Sequence, residues 1–226
     1  MDSGQLSRAE ALALSGHRHA CHVMLYSTTN TQLFGKIPIR YIILMQMRFD
    51  GLLGFPGGLV DPSRETLEDG LSRELLEELG VRLPVSIEDH VSSCYGPPLR
   101  PISSSSSSSS SSFYSPPPLI THFYVKKIEE EQVKEVERAA ASTAADHGLE
   151  VLGMVRVPLY TLKRGGGLPL FLSHTFIGNA RSQLVSTILR LQMMAREELH
   201  KALTLSVQTH RQTAEGLQAA LTLTTL

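Results

Sequence analysis

The chain has 226 residues, 42% hydrophobic and 19% charged, with a formal net charge of −1. That balance describes a folded, water-soluble protein with one sizeable core, and it removes any bulk electrostatic case for nucleic acid, so an RNA contact needs a local basic patch. Cys21 and Cys94 stand in no metal-ligand spacing, no stretch approaches the roughly 20 apolar residues of a membrane span, and the first residues lack the order of a secretory signal, all of which points to the cytosol or nucleus.

Ser7 to Leu14 reads as a short helix, with Ser7 as its cap and Glu10 as the capping-box partner. His19 to Tyr26 is β-prone. Arg40 to Met47 is a near-continuous apolar run of strand length, as in a strand buried on both faces. Phe49-Asp50-Gly51 makes a turn, and Leu52 to Pro56 leads to Pro56-Gly57-Gly58, which reads as a Gly-rich loop. A helix then follows, capped by Thr66, with Asp69 as a weaker box partner and Gly80 just past its end.

Further along, His90 to Tyr95 reads as a strand. From Gly96 to Pro118 the chain is Pro-rich and holds ten consecutive serines, Ser103 to Ser112. Such a run buries no apolar surface to offset the entropy of ordering, so about 97–118 is expected to be a disordered insertion. Thr121 to Lys127 resumes as strand, Glu129 to Ala145 as helix, Glu150 to Pro158 as strand, and Gly165 to Gly167 as loop. Thr175 to Ala195 carries a long helical pattern. The expected organisation is a domain over 1–195 and a partly helical tail over 196–226. Strands interleaved with helices imply the α/β class, a mixed sheet sandwiched between helices.

The chemistry concentrates on the helix after Gly58. Leu67, Leu71, Leu75 and Leu79 recur every four residues and form one apolar stripe facing a core. Glu74, Glu77 and Glu78 share the neighbouring face at i, i+3, i+4 spacing. Three carboxylates there repel one another unless a countercharge is supplied. Magnesium or manganese supplies one, because hard cations take carboxylate oxygens; a solvated acidic face is the alternative. Ions so held would bridge the oxygens of a diphosphate and activate a water for attack on phosphorus. Glu150, at the head of a predicted strand, is the candidate for a second carboxylate acting as base or extra ligand; otherwise it is a surface residue flanking a turn.

Glu65, Arg73-Glu74-Leu75, Glu77-Glu78 and Gly80-Val81 together resemble the Nudix box of the Nudix hydrolases. Gly58 and Glu65 stand one residue further apart than is usual there. Beyond the box, HACHVMLY, LFGKIPIRYIILMQMRFDGLLGFPGG, LEDGLSREL, DHGLEVLGMVRVPLYTL and FIGNARSQL resemble the vertebrate Nudix branch that decaps small nucleolar RNA and hydrolyses inosine diphosphate. The resemblance implies a Nudix α/β/α sandwich, dependence on Mg2+ or Mn2+, a homodimer, and a setting in the nucleus, nucleolus included, and the cytoplasm. Its implied substrates are (deoxy)inosine di- and triphosphates and capped RNA, with ADP-ribose in some members.

By residue, it implies metal ligands at Glu74, Glu77, Glu78 and the Gly57 carbonyl, and catalytic acids at Glu74, Glu78 and Glu150. A base and diphosphate site is implied at His22, Arg48, Phe55, Ile177 and Gln183. Gly58, Glu65, Arg73 and Gly80 match structural positions of the box, with Arg73 and Glu65 expected to pair and hold the loop; the alternative is an exposed ion pair worth under about 1 kcal/mol. Phe55 offers a face for a purine, Arg48 a fork for a phosphate or ribose, Gln183 a donor and acceptor for a purine edge, and His22 a bond to a 6-oxo group; each has an ordinary alternative, Phe55 as a packed loop residue before Pro56 and His22 as a structural histidine on a strand. A sister form of the branch has lost box glutamates and serves as an RNA- and protein-binding regulator; the long tail here resembles that form, while the intact Arg73, Glu74, Glu77 and Glu78 favour an enzyme.

Overall fold

The structure, a computed structural model, describes residues 4–96 and 117–221, without the side chains of 210–220. Most of the Ser/Pro-rich insertion and the last residues of the tail lie outside the described residues. In chain order the elements are β1 (Gln5–Leu6), α1 (Arg8–Ala13), β2 (Arg18–Thr28), β3 (Gln32–Leu33), β4 (Ile37–Pro38), β5 (Tyr41–Arg48), β6 (Leu53–Gly54), β7 (Gly57–Val60), α2 (Leu67–Leu79), β8 (His90–Tyr95), β9 (Leu119–Lys127), α3 (Glu130–Ser142), β10 (Val151–Arg156), α4 (Leu168–Leu172), α5 (Ala180–Arg190) and α6 (Arg196–Leu221).

The main sheet runs β1-β8-β9-β2-β5-β10, with β6 added beside β5 and β7 beside β2. β2 and β9 are parallel and the other pairs antiparallel, so the sheet is mixed as expected. The central strands are buried on both faces. Cys21, Val23 and Leu25 of β2, and Ile42 and Leu44 of β5, face one core layer with α2 and α3. Met24 of β2, with Ile43 and Met45 of β5, faces a second layer with α4, α5 and the start of α6. The alternation of the pleat thus puts each apolar run to use on both sides, and the result is a helix–sheet–helix sandwich.

In α2 the four stripe leucines are 0–2% exposed, each contributing about 1.5–3 kcal/mol of burial. Thr66 caps the helix by accepting from the Asp69 N–H, and Gly80 ends it at φ 69°. The Asp69 carboxylate takes the Thr66 hydroxyl, instead of reaching the cap's own N–H as a capping box requires. Ser7 and Glu10 make the full box on α1.

Three expectations change. The Gly57-Gly58 loop is a strand, because its backbone finds a partner in β2: Gly57 pairs with His22 and Val60 with His19. The helix expected over 175–195 is α5 alone. Its first residues are extended, since the Leu53 N–H donates to Thr175 and the Ile177 N–H to Leu53, and Gly178 then takes φ 48°. Finally, α4 was not anticipated; five residues are too few to show a helical period. The tail is helical through Leu221, and Leu199 and Ala202 at its start are buried in the same layer as α4 and α5.

Candidate active site

α2 lies close against β7. A side chain at Gly70 would meet the Val60 Cγ2 at 2.7 Å, so glycine there lets helix and strand approach. The acidic face of α2 is thereby pressed onto the Gly57–Gly58 backbone.

Glu78 is the most enclosed of the acids, 5% exposed. Its Oε2 accepts the Gly57 N–H at 2.6 Å and its Oε1 accepts the Gln46 amide at 2.8 Å. Burial pushes its carboxyl up to about 7 against those two bonds, and Glu74 and Asp146 add repulsion. Glu74 lies half-buried against Gly58: a Cβ at Gly58 would stand 2.6 Å from the Glu74 Cδ and nearer still to its Oε2. Burial raises Glu74 too, countered by Arg73.

Arg73 is the brace. It donates to Glu65 Oε1 at 3.0 Å, to the Leu59 carbonyl at 3.1 Å, to Glu74 at 2.8 Å and to Glu77 at 3.4 Å. The pairing of Arg73 with Glu65 is therefore present. The longer link from Gly58 is taken up in a turn in which Asp61 accepts the N–H groups of Ser63, Arg64 and Glu65.

The three glutamates do not converge equally. Glu74 and Glu78 turn inward, while Glu77 turns to Arg73 with its side chain 45% exposed. Among the described residues, no three acidic, histidine or cysteine side chains are grouped closely enough to hold a metal ion. The donor chemistry nonetheless fits a hard divalent cation: Glu74 and Glu78 are both raised by burial, Glu74 in spite of Arg73, and Gly58 keeps the space that Glu74 occupies. Asp146, which the sequence reading passed over, repels both Glu74 and Glu78, and its N–H donates to the Glu77 carbonyl at the end of α2. Glu150, the acid nominated for that role, is exposed beside the start of β10, with its carbonyl bonded to the Phe49 N–H. Gln46 was missed as well, because one amide inside an apolar strand carries no motif.

On the other face, the residues implied for the base site partly converge. His22 is held near neutral imidazole, its pKa lowered to about 4 by burial and by the charge of Arg48. Arg48 packs along Gly54, whose other neighbour is the Ile177 side chain, so His22, Arg48 and Ile177 share one region. Arg48 also pairs with Asp50 at 3.1 Å. Phe55 is 2% exposed and tilted against Phe123 at 5.2 Å. It is a core residue here, and the free stacking face expected of it is covered. Gln183 is half-buried on α5. Arg18, Arg64 and Arg73 line the groove beside the box with Asp61 and Glu65, and each is engaged within the protein.

A family model described as "Nudt16-like: U8 snoRNA-decapping enzyme-like" matches residues 19–194. A U8 snoRNA-decapping enzyme from Ovis aries is 51% identical over 195 residues, covering 84% of this chain and 90% of the relative. Its Xenopus laevis counterpart is 44% identical over 204 residues, covering 88% and 87%. A Tudor-interacting repair regulator protein from Homo sapiens is 44% identical over 220 residues, covering 96% and 94%.

Proposed function

The chain belongs to the Nudt16-like family of Nudix hydrolases, and from that premise we propose that it is a metal-dependent pyrophosphohydrolase acting on the diphosphate of (deoxy)inosine di- and triphosphates and of capped RNA. The observation that carries this reading is the inward pair Glu74 and Glu78, one fitted against Gly58 and the other tied to the Gly57 N–H, with Arg73 bracing the loop. A structural helix has no use for a buried carboxylate raised by its surroundings with a second, half-buried one beside it, since enclosing such charge costs stability.

Glu74, Glu78 and Glu77, with the Gly57 carbonyl, are the groups that would hold Mg2+ or Mn2+. Such an ion neutralises charge on phosphate oxygens and lowers the pKa of a water. The chain's own residues supply the rest. Glu78 would present its buried carboxylate to that ion in the ionised form, which the ion itself would favour. Arg73 fixes Glu74 and the Leu59 carbonyl. Neutral His22 can donate to a 6-oxo purine, and Arg48 can exchange Asp50 for a phosphate. Action as a homodimer, in the nucleus and cytoplasm, belongs to the same proposal. A turnover panel of inosine diphosphate, guanosine diphosphate, capped RNA and ADP-ribose, each with Mg2+ or Mn2+, tests it. Replacing Glu77 and Glu78 together by Gln is expected to abolish turnover and preserve the fold; unchanged turnover would refute the mechanism.

A second reading is a binding regulator. It is favoured by one observation: the match to the human repair regulator takes in 96% of the chain, more than either decapping relative. The same panel decides, since a pure binder turns over none of the four substrates.

A further inference from the structure

β5 holds a residue that core packing does not explain. Ile42 and Leu44 pack beneath α2, and the next residue on that face of the strand is Gln46. It is 1% exposed. Its amide nitrogen donates to Glu78 Oε1 at 2.8 Å, while its Oε1 is buried with no partner among the described residues. An unsatisfied buried acceptor is a net cost to folding. A methionine of similar length would fill the space, as Met45 and Met47 do on either side, but it would leave the buried Glu78 Oε1 without its donor. The residue is therefore suited to its one bond, the one to Glu78.

We propose that Gln46 is a positioning residue for the pyrophosphohydrolase reaction: from β5 it fixes the Glu78 carboxylate, so that this acid is presented in one orientation to a divalent cation and the diphosphate. Two anchors make that possible. The Gly57 N–H holds Oε2 from β7 and Gln46 holds Oε1 from β5, so the carboxylate is gripped between two strands of one sheet and cannot rotate without breaking a bond. With the Gly57 anchor alone, the carboxylate could swing about that bond. A displacement on the order of 1 Å in a catalytic group is enough to cost about 10²-fold in rate. Gln46 touches neither substrate nor cation in this scheme and acts through Glu78. The inference rests on the enzymatic reading above.

The test compares wild type, Gln46→Met, Glu78→Gln and the double variant, using thermal melts titrated with Mn2+ and steady-state turnover of inosine diphosphate. Gln46→Met is expected to unfold cooperatively without metal, to need at least tenfold more Mn2+ for a half-maximal shift in Tm, and to lose about 10²-fold in kcat with KM within threefold. In the Glu78→Gln background the Met substitution is expected to change neither readout further, because its target is gone. A Gln46→Met protein with wild-type Mn2+ response and kcat overturns the inference while leaving the enzymatic reading standing. A wild type that shows neither a Mn2+ shift nor turnover sinks both. Should Met overpack and unfold the protein, Gln46→Leu gives the same comparison with a smaller side chain.

Discussion

Replacing Gly58 by Ala separates the site from the fold. A Cβ there would stand 2.6 Å from the Glu74 Cδ, whereas unstrained carbon contacts lie near 3.5–4.0 Å. The carboxylate must retreat by about 1 Å, and it can, since it is the free end of a flexible side chain. Stability should therefore change little: a glycine in a strand interior costs about 0.5–1 kcal/mol relative to alanine, which offsets the loss of one exposed-edge contact between Glu74 and Arg73, worth under about 1 kcal/mol. Catalysis should suffer more, because a 1 Å misplacement of a catalytic group costs about 10²-fold. Thermal melts and kcat for inosine diphosphate in Mn2+ measure the two effects independently. A Gly58→Ala protein with wild-type kcat would refute the placement of Glu74 against this strand as the working geometry.

Gly57→Ala should behave differently, because its Cβ would meet backbone, 2.9 Å from the His22 Cα, at φ 129°; a fall in melting temperature and in soluble yield is expected, and a stable variant would contradict the tight pairing of β7 with β2. In metal-free Glu78→Gln protein, urea melts should show stability lost between pH 7 and pH 5, on the order of 2 kcal/mol from each of His22 and His122. Burial, with His19 and His90 alongside, lowers the pKa of His122 to about 3, and that of His22 is lowered to about 4, so the unfolded chain takes up protons below about 6.5 that the folded chain refuses. Wild type should show a flatter profile, since the raised carboxyl of Glu78 gains stability over the same interval; a profile unaffected by the Gln substitution would count against this balance. Tyr95 and Ile120 are paired across β8 and β9, and the Gly96 N–H reaches the Leu119 carbonyl at 2.7 Å. Joining Gly96 to Pro117 by a short hairpin turn should thus leave melting temperature and turnover near wild type, and loss of folding would show the intervening segment to be integral.

Local pattern determined much of this protein. The leucine period of α2, its Thr66 and Gly80 ends, the doubly buried run of β5 and the Arg73–Glu65 brace were all legible, because each depends on residues within about two turns or one strand of each other. The acids of the box were legible for the same reason. What only the tertiary structure decided were matters of partnership. Gly57 and Gly58 form a strand because β2 lies beside them. Glu74 and Glu78 turn inward because β7 lies against their side of α2, while Glu77 falls at the exposed edge of that contact. Asp146 enters the acidic cluster because its loop packs at the end of α2, Phe55 is covered because Phe123 comes from a distant strand, and Gln46 meets Glu78 across 32 residues of chain. Spacing along a chain reports which groups share a face; it carries no record of what arrives opposite that face, and burial, hydrogen bonding and charge at this site are set by what arrives.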